Sequence, residues 1–147
     1  MDVEQSSWPA VSAAVAAGRE AFTALIIDDE PHVRAFLRLA LRSLGLRDIR
    51  EAANGAEGFA LFKQVQPTVV LLDINMPVLA GEATLRQILA RDPDAAVIVV
   101  TSDSQHDTVK RYLGLGAIGY VLKHRPAAEV HRMLDQALAC FVVDGEA

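Results

Sequence analysis

The chain has 147 residues, 52% of them hydrophobic and 22% charged, which suits one globular domain and excludes a disordered chain. Fourteen basic against nineteen acidic residues leave a net charge of −5, which argues against a general binder of nucleic acid or of an anionic membrane. The single cysteine, Cys140, excludes an internal disulfide framework and suits a reducing compartment; its position predicts burial in a C-terminal helix.

Residues 1–22 contain the Ala-rich stretch AVSAAVAAG, which looks superficially like a signal peptide. Asp2 and Glu4 occupy the place of a positive n-region, and Ala and Ser make a weak apolar segment. No apolar run approaches the ~18 residues that suggest a membrane span. The segment is therefore expected to be an N-terminal extension of a cytoplasmic protein, disordered or helical, with Trp8 as an anchor.

From Thr23 the pattern becomes regular. ALIID (24–28) is a short apolar run, and the helix that follows places Val33, Phe36, Leu37, Ala40, Leu41 and Leu44 on one face. Pro31 near its start and Gly45 at its end punctuate that helix. DIREA (48–52) predicts a second, weakly apolar strand. Asn54-Gly55 turns the chain into the helix AEGFALFKQV, which Pro67 ends. TVVLLD (68–73) is the third strand and Glu82–Ala90 the third helix. AAVIVVT (95–101) is the fourth strand, and Ser104–Leu113 reads as a helix with Gly114 and Gly116 as stop signals. AIGYVLK (117–123) is the fifth strand, and Pro126 opens a last helix through about residue 140.

Strands of continuous aliphatics, without period-two alternation, are those of a parallel sheet covered on both faces. Right-handed crossovers then give an α/β, doubly wound, open sandwich with five parallel strands and helices on both faces. Residues 23–141 form this domain, and 142–147 are expected to be a C-terminal tail.

In an open parallel sheet, ligands bind outside the carboxyl ends of the strands. The first strand ends in Asp28-Asp29, the third in Asp73, the fourth in Thr101 and the fifth in Lys123, whereas the second ends blandly in Glu51-Ala52. Taken singly, each has an ordinary explanation. Asp73 could cap a turn, Asp28-Asp29 could be a solvated turn, strand-end Thr101 and Lys123 are unremarkable, and Tyr120 reads as core packing. Together they place three carboxylates at one edge. Two like charges ~4 Å apart repel by about 4 kcal/mol at an effective dielectric near 20, so the edge needs a counter-charge. Hard oxygen ligands suit Mg2+, with Lys123 as a second cation, and such a site fits a phosphoryl group. Asp73 is then a natural nucleophile.

The motifs IIDDE, LLDINMP, VVTS and GYVLK occur in that order, and with them the chain resembles the receiver domain of two-component response regulators from Thr23 to Cys140. The likeness is to the stand-alone, chemotaxis-regulator type. It implies a flavodoxin-like sheet ordered 2-1-3-4-5, with Asp73 accepting phosphate from a histidine kinase or phosphotransfer protein. Asp29 and Asp73 would bind Mg2+ directly, with the backbone carbonyl of Asn75, and Asp28 would act mostly through water. Lys123 would pair with the phosphoryl oxygens and Thr101 would turn its hydroxyl toward them. Tyr120 would follow inward, changing the face formed by the fourth helix, fifth strand and fifth helix. The chain would be a phosphoprotein and no enzyme beyond its own phosphorylation and dephosphorylation. The output partner is unspecified, and pairing into a homodimer stays open.

Three positions depart from the family pattern. Lys123 is usually followed by proline through a cis bond, but here His124-Arg125-Pro126 follows. A cis bond before His124 would cost about 2.5–4 kcal/mol, against about 0.5–1 before proline, so a trans bond or a reshaped loop is expected. Ala80 replaces the usual acid or amide before Gly81, and Ser102 the usual small Ala after Thr101. Asn75 and Asp103 flank the line of water attack on a phosphorylated Asp73. Two other readings compete. A small enzyme of similar fold fits poorly: Asp28-Asp29-Glu30 would repel a flavin cofactor's phosphate, and a haloacid-dehalogenase-like phosphatase would want an acid where Asn75 stands. A phosphorylation-independent binding module draws its support from the His124-Arg125 corner and the N-terminal extension.

Overall fold

Strands and helices alternate from Thr23 to Glu146 in a computed structural model, which describes residues 18–76, 80–102 and 106–146. The strands are β1 (Thr23–Ile27), β2 (Asp48–Ala52), β3 (Val69–Asp73), β4 (Val97–Thr101) and β5 (Gly119–Leu122). The helices are α1 (Pro31–Ser43), α2 (Gly55–Val65), α3 (Ala80–Arg91), α4 (His106–Leu115) and α5 (Ala127–Glu146). The sheet is parallel throughout, in the order β2-β1-β3-β4-β5. The expectations for Trp8 and Asp103 lie outside the described residues, as does that for the Cys140 side chain.

Alternating residues of the aliphatic strands serve the two faces of the sheet. Ala24, Ile26, Val69, Leu71, Ile98, Val100 and Val121 pack with α1 and α5 through Leu37, Leu41, Leu134 and Leu138. Leu25, Ile27, Val70, Leu72, Val97 and Val99 pack with α2, α3 and α4 through Phe62, Leu85, Ile88 and Tyr112. This double burial is why the strands carry no polar alternation. Burying a side chain of this size contributes roughly 1.5–3 kcal/mol, so β3 and β4, buried at every residue, are the rigid centre of the sheet.

Local signals set the element ends. Asn54 caps α2 by accepting from Glu57 N at 2.8 Å, and Glu57 reaches back to Ala53 N at 2.8 Å. Gly116, with φ of 121°, closes α4, whereas Gly114 lies inside it. The helix α5 continues past Cys140 to Glu146, so most of the expected tail is helical.

Ahead of β1 the chain is already fixed. Arg19, 1% exposed, donates to Leu44 O at 3.1 Å and to Asp135 Oδ1 at 2.7 Å, bridging the end of α1 and the middle of α5. Among the described residues no helix is long and apolar enough to cross a membrane.

Candidate functional site

The parallel register brings the carboxyl ends of β1, β3, β4 and β5 to one edge of the sheet. Asp28 N donates to Ala52 O at 3.1 Å, Ile74 N to Val100 O at 3.0 Å and Lys123 N to Thr101 O at 2.8 Å, so sheet hydrogen bonding persists to the last residue before each loop. The side chains of Asp28, Asp73, Thr101 and Lys123 are therefore held by backbone that cannot wander. All four residues are buried, while Asp29 and Asn75 are exposed.

Lys123 is the hub. Its Nζ lies 3.1 Å from Asp28 Oδ2, 3.1 Å from Asp73 Oδ2 and 3.1 Å from Glu30 Oε1. Asp28 Oδ1 accepts from Glu30 N and Asp73 Oδ1 from Asn75 N, each at 2.8 Å, so each acid also pins the first turn of its own loop. Carboxylate oxygens of Asp28, Asp29 and Asp73 all lie within 4.8 Å of one another. One ammonium pairs with Asp28, Glu30 and Asp73, and Asp29 joins the same carboxylate cluster, leaving an excess of negative charge.

The electrostatics follow from that imbalance. Burial, joined by the Asp28 charge, pushes the Asp73 carboxyl up to about 6 against the opposing pull of Asn75 N–H and Lys123. Burial also disfavours the Lys123 ammonium, but the charges of Asp73 and Asp28 outweigh it and raise its pKa. Asp28 Oδ2 and Asp73 Oδ2 are buried and accept no well-directed hydrogen bond, although the ammonium is near both. Buried acceptors left in this condition, in a set of hard oxygen donors, fit a divalent cation such as Mg2+.

Several supports escape a strand-end reading. Glu30, one residue beyond the acidic pair, takes the third contact to Lys123. Glu51, at the blandly ending β2, pairs with Arg34 at 3.1 Å and Arg38 at 2.6 Å, and Arg34 donates to Asp28 O at 2.6 Å. The Glu51 side chain thereby braces the β1 loop from behind. Asn75 Oδ1 accepts from Ser102 N at 2.7 Å, which ties the β3 and β4 loops together. A Cβ added to Gly81 would stand 2.6 Å from Ile74 Cα, so only glycine lets α3 start this close to the site loop. The charge pattern of IIDDE offered a hint of Glu30; the roles of Glu51 and Gly81 had no linear signal.

The two remaining expectations meet mixed outcomes. Tyr120 is 39% exposed, so it stands outward from β5 and is no core residue. The peptide bond after Lys123 is trans, and His124 adopts a left-handed φ of 61°, a reshaped corner in place of a proline turn. Lys123 still reaches Asp73 from it.

Known proteins are similar to this chain in sequence and in fold. The family model for the response regulator receiver domain matches residues 24–135. The probable C4-dicarboxylate response regulator DctR of Priestia megaterium is 36% identical over 119 residues, covering 80% of this chain and 52% of that protein. The chain thus spans about half of that relative. The chemotaxis protein CheY of Listeria monocytogenes is 33% identical over 113 residues, covering 77% of this chain and 95% of that one. Among solved structures, a chain of the CheX–CheY–BeF3–Mg2+ complex of Borrelia burgdorferi superposes with a TM-score of 0.73 at 29% identity, covering 80% of this chain and 89% of that one.

Proposed function

Because this chain belongs to the response regulator receiver domain family, we propose that Asp73 is its phosphoacceptor, charged by a histidine kinase or phosphotransfer protein of a two-component system. The observation that carries this reading is the Lys123 ammonium, 3.1 Å from both Asp73 and Asp28 at the sheet edge.

An oxygen of the Asp73 carboxylate attacks the phosphorus of the donor phosphohistidine, and the phosphorus–nitrogen bond breaks with its electron pair going to the imidazole nitrogen, which takes a proton from water. With a pKa of about 6, Asp73 is mostly ionised at neutral pH and ready to attack. Lys123 balances the charge that builds on the equatorial phosphoryl oxygens, fixed in place before the reaction begins. Asp28, Asp29, Asp73 and the backbone carbonyl of Asn75 are the groups that would hold Mg2+, which when bound neutralises phosphoryl charge. Thr101, at the end of β4, offers the hydroxyl that reports the phosphoryl group. Tyr120, exposed on β5 beside it, is the residue that answers by turning inward and altering the α4–β5–α5 face. Phosphorylation acts as a population shift, because the new contacts exist in one state and not the other. The output is a protein partner met by this face, and the setting is cytoplasmic.

Beryllofluoride with Mg2+, a mimic of the acyl phosphate, tests both halves of the reading. Amide resonances of Asp73, Thr101, Tyr120 and Lys123 are expected to shift together. A spectrum unchanged by saturating mimic would instead favour a binding module that works without phosphorylation.

A further inference from the structure

Asp28 is anchored to β2 through both of its backbone groups, although β2 contributes no acid to the cluster. Its N–H donates directly to Ala52 O at 3.1 Å. Its carbonyl accepts from Arg34 Nη1 at 2.6 Å, and Arg34 Nε donates to Glu51 Oε1 at 3.1 Å. Glu51 stands beside Ile26 in the parallel register, so its side chain leaves the sheet on the α1 face. There Arg34 and Arg38 lie about one helical turn apart and meet it together. Arg38 takes the other carboxylate oxygen at 2.6 Å and also donates to Ile49 O at 2.9 Å. Burial disfavours the Glu51 anion, but the two arginines outweigh it and hold its carboxyl below the usual range. The Glu51–Arg34 pair is thus fixed by charge.

The carbonyl that Arg34 holds belongs to the peptide group leading into Asp29. A peptide group is planar, so fixing its oxygen fixes where the Asp29 Cα follows. Arg34 N also donates to Glu30 O at 3.1 Å, while Asp28 Oδ1 accepts from Glu30 N at 2.8 Å. One arginine therefore clasps the Asp28–Asp29–Glu30 turn at its first and last carbonyls. Asp29 is exposed, so this backbone sets its aim more than packing does. Charge acts the other way, because a guanidinium close to the cluster repels a divalent cation. The geometry of Arg34 and its charge thus affect cation binding with opposite sign.

We propose that Arg34, held by Glu51, is a positioning residue for the metal-binding acids, setting the peptide between Asp28 and Asp29 so that their carboxylates converge with that of Asp73. The inference rests on the proposed function, in which these acids hold Mg2+. A planar fork is what the role requires, because one guanidinium spans Glu51 and Asp28 O at fixed angles. A lysine ammonium keeps the charge without the span.

Calorimetric titration of the full chain with Mg2+ tests this role, alongside the Mg2+ dependence of labelling by a small phosphodonor. Arg34→Lys is expected to weaken Mg2+ binding about tenfold, the scale of effect when a partner of a metal ligand is lost. Labelling at saturating Mg2+ is expected to return close to the wild-type rate, a split that general damage to the fold would not give. Arg34→Gln supplies the sign: binding weakens if Arg34 positions the acids and tightens if it acts through charge alone. Glu51→Gln, which leaves Arg34 in the chain, is expected to weaken binding as well and to add little in the Arg34→Lys background. Circular dichroism and urea titration establish that each variant is folded. Wild-type affinity in a folded Arg34→Lys or Glu51→Gln chain, or tighter binding by Arg34→Gln, would overturn this role and leave the proposed function standing. A wild-type chain that binds no Mg2+ would overturn both.

Discussion

Lys123 Nζ and Glu30 Oε1 stand 3.1 Å apart, so the loop after β1 and the end of β5 are joined by an ion pair that competes with Asp73 for one ammonium. Glu30 is half-exposed and its carboxyl is held below the usual range, chiefly by the hydrogen bond from Lys123. Glu30→Gln removes the competitor and leaves the buried contacts to Asp28 and Asp73. Labelling by a small phosphodonor is expected to become several-fold faster, with the urea midpoint little changed. Slower labelling would mean that Glu30 aims Lys123 and does not compete for it.

Asp73 is poorly placed for stability. Its native pKa of about 6 exceeds the ordinary 3.8, so the native state binds this proton more tightly than the unfolded chain does. Its carboxyl therefore favours the fold fully below pH ~4, and that contribution is lost as pH rises through about 6. Asp73→Asn removes the buried charge, and at pH 7.5 without divalent ions it is expected to raise the unfolding free energy by about 1–3 kcal/mol. Urea titrations at pH 4.5 and 7.5 check both the gain and its disappearance in acid.

Divalent cation binding to the acidic cluster stabilises only the native chain. At a concentration ten times the dissociation constant, Mg2+ is expected to contribute about 1.4 kcal/mol and to raise the melting temperature accordingly. Asp29 is exposed, so Asp29→Ala keeps the fold and should abolish the dose response. Differential scanning calorimetry against Mg2+ concentration reads both chains.

His131 on α5 gives pH dependence of the opposite sign. Burial holds its imidazole below the usual 6.5, with Arg19 adding to the effect and Asp135 opposing it. The unfolded chain then binds the proton more readily, so stability is highest above pH ~6.5 and falls as pH drops below it. Asp73 contributes the reverse slope in the neighbouring window, so the measurement belongs in an Asp73→Asn background. There, His131→Gln is expected to flatten stability between pH 7 and 5.5.

What the sequence made legible was whatever depends on burial. VVLLD and VIVVT lie in the middle of the sheet, where both faces demand aliphatics, so β3, β4 and the polar residues ending them stood out. The strand order followed from the family's motifs, the convergence of Asp28, Asp29, Asp73 and Lys123 from the strand ends of a parallel sheet, and the trans corner from the cost of a cis bond before His124. What escaped notice depends on side chains meeting across the fold. Arg19 and Asp135 are 116 residues apart, and nothing in an Ala-rich extension announces that its penultimate turn is buried. Glu51 looked idle because β2 is half-exposed, and its value lies in the arginines of α1 that it orients. Tyr120 looked like core because aromatics on strands are usually buried, yet β5 is an edge strand and leaves one side open.

The central claim is that Asp73 takes one phosphoryl group. Intact-mass measurement after incubation with Mg2+ and a small phosphodonor tests it most directly. The full chain should gain the mass of a single phosphoryl group, the gain should need Mg2+, and Asp73→Asn should show none. An unmodified wild-type mass, or equal labelling of the Asp73→Asn chain, would contradict the assignment.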